Sequence, residues 1–379
     1  MSNKYAIDLH NLITPEQATR IIETNIKTIM ANSEMCREIS PIMLRGGPGV
    51  GKSTIIKDIA DRLGIGFIDI RLSQMEPVDL RGLPVPNKDT NTVEWFVSAD
   101  LPNEKRDGKY GILLFDELTS ADRSLQVASY ELILDRRLGQ LYKIPDGWYI
   151  VACGNRVEDR AVATMMSSAL ANRLMHFDME PNAEDWGNWG ISHEIHPTVT
   201  GFIKFRPDCL FDMEGQNLEH GWPSPRSWAR VSTMINLYGN DEETLRPIVY
   251  GLIGNKVGIE FMQFYKINKN FNNVLEMMVN PNCPIEIPTK ADEIAAMCAA
   301  MQYLVWKGKN EEDQARRIDG FMRICIKFDP DFASMTMMGA MQGNKNISKE
   351  QACKLLYNHP LFQSWCEKHN KKLKTKFVI

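Results

Sequence analysis

Gly46-Gly47-Pro48-Gly49-Val50-Gly51-Lys52-Ser53-Thr54 is the stretch on which the reading of this chain turns. It follows a short apolar strand, Pro41 to Leu44, and opens a helix, the context that the pattern GxxxxGK[ST], here Gly46 to Ser53, requires. The glycines let backbone N–H groups converge on phosphate oxygens. The start of the following helix adds the positive end of its dipole, and the Lys52 ammonium is placed for the β and γ phosphates. Ser53 offers a hydroxyl to magnesium. A glycine-rich turn of merely structural purpose has no need of the Lys52–Ser53 pair, so Gly46 through Thr54 are the candidate nucleotide-binding residues.

Working outward, Thr14, Pro15, Glu16 and Gln17 read as a helix start: an N-cap, a proline at the first helical position and a capping-box partner. Ala18, Ile21, Ile22, Ile26, Ile29 and Met30 then recur at helical spacing and predict one apolar face against a sheet. Gly66 to Leu72 alternates as a second strand. Gly111 to Phe115 is a third apolar run ending in Asp116 and Glu117, and Trp148 to Cys153 is a fourth that stops at Gly154 and Asn155. Met175 to Phe177 supplies a short fifth. Helical periodicity from Leu125 to Leu134 falls between the third and fourth. Strands alternating with helices predict an α/β fold, a parallel sheet sandwiched by helices.

A phosphate loop does not hydrolyse anything by itself; it needs acids at the end of a later strand. Asp116 is placed to hold the magnesium shell and Glu117 to polarise a water for attack on the γ phosphate. A GTPase would want DxxG here, but Asp116 is followed by Glu117, Leu118 and Thr119. Asn87, Lys88 and Asp89 are contiguous and lack the spacing of an NKxD base-recognition element. ATP with Mg²⁺ is the expected cofactor pair.

With 379 residues the chain has room for roughly two domains. The nucleotide-binding domain is expected over 1–180, with an insert over about 78–109. Residues 181–222, rich in Trp, Pro and Gly, read as an irregular connector, and its Trp186, Trp189 and Trp222, with Trp228, as anchors onto the sheet domain. Residues 223–379 read as a helical lid and C-terminal helical region. A net charge of −4 is too near neutral for a general nucleic-acid surface. Basic charge is local, from Lys368 to Lys376, and a solvated tail is the commoner use. Eight scattered cysteines without a CxxC pair argue for reduced thiols rather than a disulfide framework or zinc ribbon. No apolar run reaches a membrane span and Met1 to His10 is too polar for a signal peptide, so a cytoplasmic location is expected. His193 and His196 lack a third ligand and do not read as a metal site. Met165, Met166, Met335, Met337, Met338 and Met341 read as core filling before client surface.

The arrangement of these motifs resembles the AAA+ ATPases, and within them the MoxR-like group, over about residues 14 to 265. Gly46 to Ser53 stands as Walker A and Ile112 to Glu117 as Walker B. The resemblance implies further roles. Asn155 falls at the sensor-1 position that orients the attacking water, Arg173 at the arginine finger, and Arg226, within Ser224-Pro225-Arg226, at the sensor-2 helix start. Catalytic candidates are therefore Glu117, Asn155, Arg173 and Arg226. Asp116 and Ser53 are the candidate metal ligands. The family usually follows its sensor-1 Asn with Pro and its finger Arg with Phe; Arg156 and Leu174 stand there instead. The finger therefore stays open between Arg173 and Arg160, Arg156, Arg136 and Arg137. Val78-Asp79-Leu80-Arg81-Gly82 resembles the run into the family's insert, a projection near the central pore and a candidate for substrate contact. Residues around Leu141 to Ile144 resemble its extra hairpin before sensor 1.

An arginine finger implies a ring, usually of six subunits, with the site shared between neighbours. The resemblance implies a chaperone-like remodeller of a protein partner, with a von Willebrand A type domain as the analogical choice. A nucleic-acid translocase or helicase motor and a nucleotide-gated assembly scaffold are the alternatives.

Overall fold

The computed structural model describes residues 11–89, 91–156, 166–213, 220–268 and 272–373. The chain divides into two compact units, Met1–Pro181 and Asn182–Ile379.

The first unit is built on a parallel six-stranded sheet of β1 (Leu12–Ile13), β2 (Ile42–Arg45), β3 (Gly66–Arg71), β6 (Gly111–Asp116), β9 (Trp148–Gly154) and β10 (Met175–Met179). Two antiparallel hairpins leave it: β4 (Leu83–Asn87) with β5 (Thr92–Phe96), and β7 (Arg137–Leu138) with β8 (Tyr142–Lys143). The order across the sheet is β1-β10-β2-β9-β6-β3. The five expected strands are all present. The sixth, β1, is two residues long and pairs with β10 through Leu12 opposite Asp178 and Ile13 opposite Met179.

Parallel strands covered on both faces must be apolar throughout. Ile112 to Phe115 and Ile150 to Cys153 are accordingly fully buried. Helices α1 (Pro15–Ala31) and α2 (Lys52–Leu63) cover one face. Thr14 caps α1 as the expected box, with Gln17 answering, and Ile22, Ile26 and Ile29 turn inward. Asn25 of α1 reaches across to donate to the Tyr149 hydroxyl at 2.9 Å. The helix Arg123–Asp135 covers the other face, where Leu125, Leu132 and Ile133 meet Leu113, Phe115, Ile150 and Trp148. A Cβ at Gly66 or Gly111 would come within 2.7 Å of the Trp148 ring. Those two strand glycines therefore make the slot that lets the indole lie on the sheet, a burial whose loss on truncation costs about 3–5 kcal/mol.

The second unit is helical. Among the described residues it has no strand, only an isolated bridge between Asn344 and Ile347. The stretch 181–222 is not an irregular connector as expected from its composition. It holds the helices Ala183–Ser192, capped by Asn182, and Pro197–Phe205, which starts on its proline. Trp186 and Trp228 are buried within the helical unit's own core, with Phe202 and Phe261, because helical spacing puts Trp186 and Trp189 on one face. A second core gathers Met297, Met301, Met322, Met337 and Met341 around Phe321 and Trp365. Met337 and Met341 are thus core residues, Met335 packs at its edge, and Met165 lies outside the described residues. In the basic run, the Lys368 ammonium is spent on the Ile326 carbonyl at 2.8 Å, and Lys374 and Lys376 lie outside the described residues. Among the described residues no helix is long and apolar enough to cross a membrane.

Candidate nucleotide site

The loop between β2 and α2 turns on glycine conformations. Gly49 and Gly51 have φ of 83° and 101°, in the region that favours glycine. Gly46 is required for a different reason: a Cβ there would lie 2.6 Å from the Met179 carbonyl oxygen of β10. The chain then enters α2 with Lys52 as its first residue and no side-chain cap at Gly51. The start of that helix presents the positive end of its dipole, which favours an anion.

Lys52 is 8% exposed, its stem buried and its ammonium turned back into the loop. It donates to the carbonyls of Gly46 at 2.6 Å and Gly47 at 3.1 Å, and to Asn155 Oδ1 at 3.4 Å. Ser53 Oγ donates to Asp116 Oδ2 at 2.6 Å. The sheet order explains the convergence: β9 lies between the loop strand and the acid strand, so Asn155 at its end stands between Lys52 and Asp116. Sequence positions about a hundred residues apart thus meet at one end of the sheet. Lys52, Ser53, Asp116 and Asn155 are brought together.

Glu117 is held by backbone geometry. It adopts φ 58° and ψ 30°, a left-handed conformation that costs a non-glycine residue on the order of 1 kcal/mol. Its N–H donates to Asp116 Oδ1 at 2.9 Å. The Glu117 carboxylate accepts from the Ser73 hydroxyl, two residues beyond the end of β3. On that strand, Asp69 and Arg71 stand opposite Leu114 and Asp116 in register. Burial, with the Asp116 carboxylate next in weight, pushes the Asp69 carboxyl above the usual range.

Asn155 is fixed by Thr119. The Thr119 hydroxyl accepts from the Asn155 N–H at 3.0 Å and donates to its carbonyl at 3.2 Å. The exchange needs Gly154, where a Cβ would meet Thr119 Oγ1 at 2.5 Å. Ser73, Thr119 and Asp69 were not singled out by sequence.

The arginines separate by environment. Arg136 is buried, donates to the Pro145 carbonyl at 2.9 Å and the Trp148 carbonyl at 2.7 Å, and has its pKa lowered by burial. It is a strut for the turn before β9. Arg156 lies 3.5 Å from Glu180, and Arg137 pairs at 3.8 Å with Glu131. Arg160 lies outside the described residues. Arg173 follows the short helix Ser168–Ala171 and is exposed, with no side-chain partner among the described residues. Arg226 belongs to the other unit, exposed on the first turn of the helix Pro225–Tyr238, which Ser224 caps. His193 stacks on Trp189 at 4.2 Å, while His196 accepts from the Thr198 N–H at 3.3 Å; both act within the helical unit.

The parallel sheet, the glycine-rich loop entering a helix and the acid pair two strands away define an α/β P-loop fold, followed by a helical region. The family model for the viral superfamily 1 RNA helicase core domain matches residues 42–133. Midasin of Giardia intestinalis is 32% identical over 115 residues, 30% of this chain; the match spans 2% of Midasin's own length. Among solved structures, a candidate ATPase of Cytophaga hutchinsonii is 13% identical, covering 82% of this chain and 87% of its own, with a TM-score of 0.31. A point mutant of Thermotoga maritima RuvB is 13% identical, covering 79% and 91%, with a TM-score of 0.37.

Proposed function

We propose that the chain is an ATP-hydrolysing AAA+ subunit of the MoxR-like type that works as a ring and remodels a protein partner. The observation that supports it most is the 2.6 Å bond from Ser53 to Asp116, with Lys52 and Asn155 3.4 Å apart beside it. The residue types for phosphate, magnesium and water thus occupy one place. In this reading the loop N–H groups and Lys52 hold the β and γ phosphates. Ser53 and Asp116 would hold Mg²⁺, which neutralises charge on the phosphates when bound. Glu117 accepts a proton from the attacking water, and Asn155, clamped by Thr119, orients that water. Arg173, exposed and unpaired among the described residues, is the finger offered to a neighbour, and Arg226, at its helix start, is the candidate sensor-2 arginine.

The test is affinity purification of full-length Glu117→Gln in ATP. It is expected to keep ATP affinity, to lose hydrolysis by roughly 10²–10⁴, and to hold an oligomer with its protein partner. Full hydrolysis by this variant would refute the assignment of Glu117 and favour the scaffold reading. Lys52→Ala is expected to lose ATP affinity by about a hundredfold or more in a fluorescent-nucleotide titration; retained affinity removes Lys52 from the site.

The helicase-type family model keeps a second reading in view, a nucleic-acid motor. In that case DNA or RNA raises the ATPase several-fold, and truncation after Cys366 abolishes the effect.

A further inference from the structure

Among the described residues, the β4–β5 hairpin is unlike every other strand pair. Its side chains are exposed on both faces, and most of them are apolar: Leu83 is 62% exposed, Phe96 61% and Val93 57%, with Val85 and Trp95 also out. Solvated hairpins are normally polar on at least one face, and an apolar surface of this kind marks an interaction site.

Its two edges differ. In the register, Pro84 faces Trp95 and Pro86 faces Val93. A proline has no N–H to give, so both must occupy the positions whose backbone points away from β5. The outer edge of β4 is thereby stripped of donors at two successive outward positions. By the same register, the N–H and C=O groups of Val93 and Trp95 point away from β4, and among the described residues they make no backbone bond. The hairpin has one blocked edge and one open edge.

We infer that the open edge of β5 takes an extended, uncharged apolar segment of the protein partner as an added strand. The inference rests on the proposed protein client. Charge complementarity selects the class of segment: the two strands carry a single charged side chain, Glu94, and Asn87 donates to it at 2.6 Å. No lysine or arginine stands in either strand to meet phosphates. The prolines argue against a second copy. Head-to-tail neighbours would have to bring β5 against a β4 edge that cannot donate, and a symmetric β5–β5 pair closes at two chains rather than a ring. Main-chain bonds would give affinity and the apolar faces selectivity.

The experiment uses the full-length protein and a fluorescein-labelled peptide of alternating Val and Thr, alongside the same peptide N-methylated at alternate residues. Anisotropy is expected to show binding of the plain peptide and at least about tenfold weaker binding of the methylated one. Val93→Pro places on β5 the block that Pro86 places on β4 and is expected to weaken the plain peptide similarly. Leu83→Ser with Phe96→Ser is expected to weaken it while leaving basal ATPase unchanged. Equal binding of the two peptides to the unmodified protein overturns the inference whatever the variants do. So does stronger, hairpin-dependent binding of an oligothymidylate strand, or a loss of oligomer in Val93→Pro by sedimentation. ATPase read in the same samples separates the two proposals. Hydrolysis without peptide binding sinks the added strand alone, whereas peptide binding without hydrolysis sinks the ATPase reading and leaves the strand standing.

Discussion

At the scale of single residues, Glu117, the proposed general base, is restrained on both its backbone and its side chain. Glu117 sits in a left-handed conformation, its carboxylate accepting from Ser73 and its N–H tied to Asp116. The Ser73 hydroxyl restrains the carboxylate; a hydrogen bond to a charged group is worth about 1.5–3 kcal/mol, part of which must be given up before the carboxylate can turn to an attacking water. Ser73→Ala is therefore expected to raise kcat by about two- to tenfold with KM unchanged, measured in a coupled ATPase assay. A fall in kcat with a rise in KM would show instead that Ser73 positions the nucleotide. Lys52, Ser53, Asp116 and Glu117 were legible because their spacing and flanking strand and helix are local in sequence. Ser73 and Asp69 were not, since what brings them to the acids is the pairing of β3 with β6, a register that a single sequence does not display.

At the scale of elements, short or proline-marked segments were the hard ones. The other five strands of the main sheet announce themselves as apolar or alternating runs, whereas β1 is two residues long and has no period to read. Composition misled over 181–222: tryptophan, proline and glycine look like loop, yet Asn182 and Pro197 are helix-start residues and both helices use them. The second of these helices has an unusual cap. His196 accepts the Thr198 N–H through Nδ1, which must be unprotonated to do so, and burial pushes the imidazole down to about 4. An unfolded histidine titrates near 6.5. Between these values the unfolded chain binds the extra proton, so stability is complete above about pH 6.5 and is lost as pH falls toward 4. At pH 5 the loss is about 2 kcal/mol, and at pH 4 about 3. His196→Asn keeps a capping side chain that does not titrate. In urea melts at pH 7.5 and pH 5, the wild type is expected to lose about 2 kcal/mol more than this variant. Equal losses would remove His196 from the account.

At the scale of the whole molecule, the proposed catalysis asks for more than one chain. Arg136 is committed to the turn before β9, and Arg156 and Arg137 to acidic neighbours, while Arg173 stands exposed. If Arg173 completes the site of an adjacent subunit, the interface is heterologous, and a defect in the finger and a defect in the base lie in different chains of the same site. Arg173→Ala is expected to cost roughly 10³–10⁵ in hydrolysis, as fingers do elsewhere, and Glu117→Gln to be inactive by itself. Mixed in equal amounts and allowed to exchange, the two inactive proteins are expected to recover about a quarter of wild-type activity. The reason is that one site in four then pairs an intact Glu117 with an intact Arg173 from its neighbour. The same geometry makes specific activity rise with protein concentration as chains assemble. A mixture that stays inactive after exchange has been verified by labelled subunits, together with a specific activity that is flat on dilution, would place the complete site within one chain and move the finger away from Arg173.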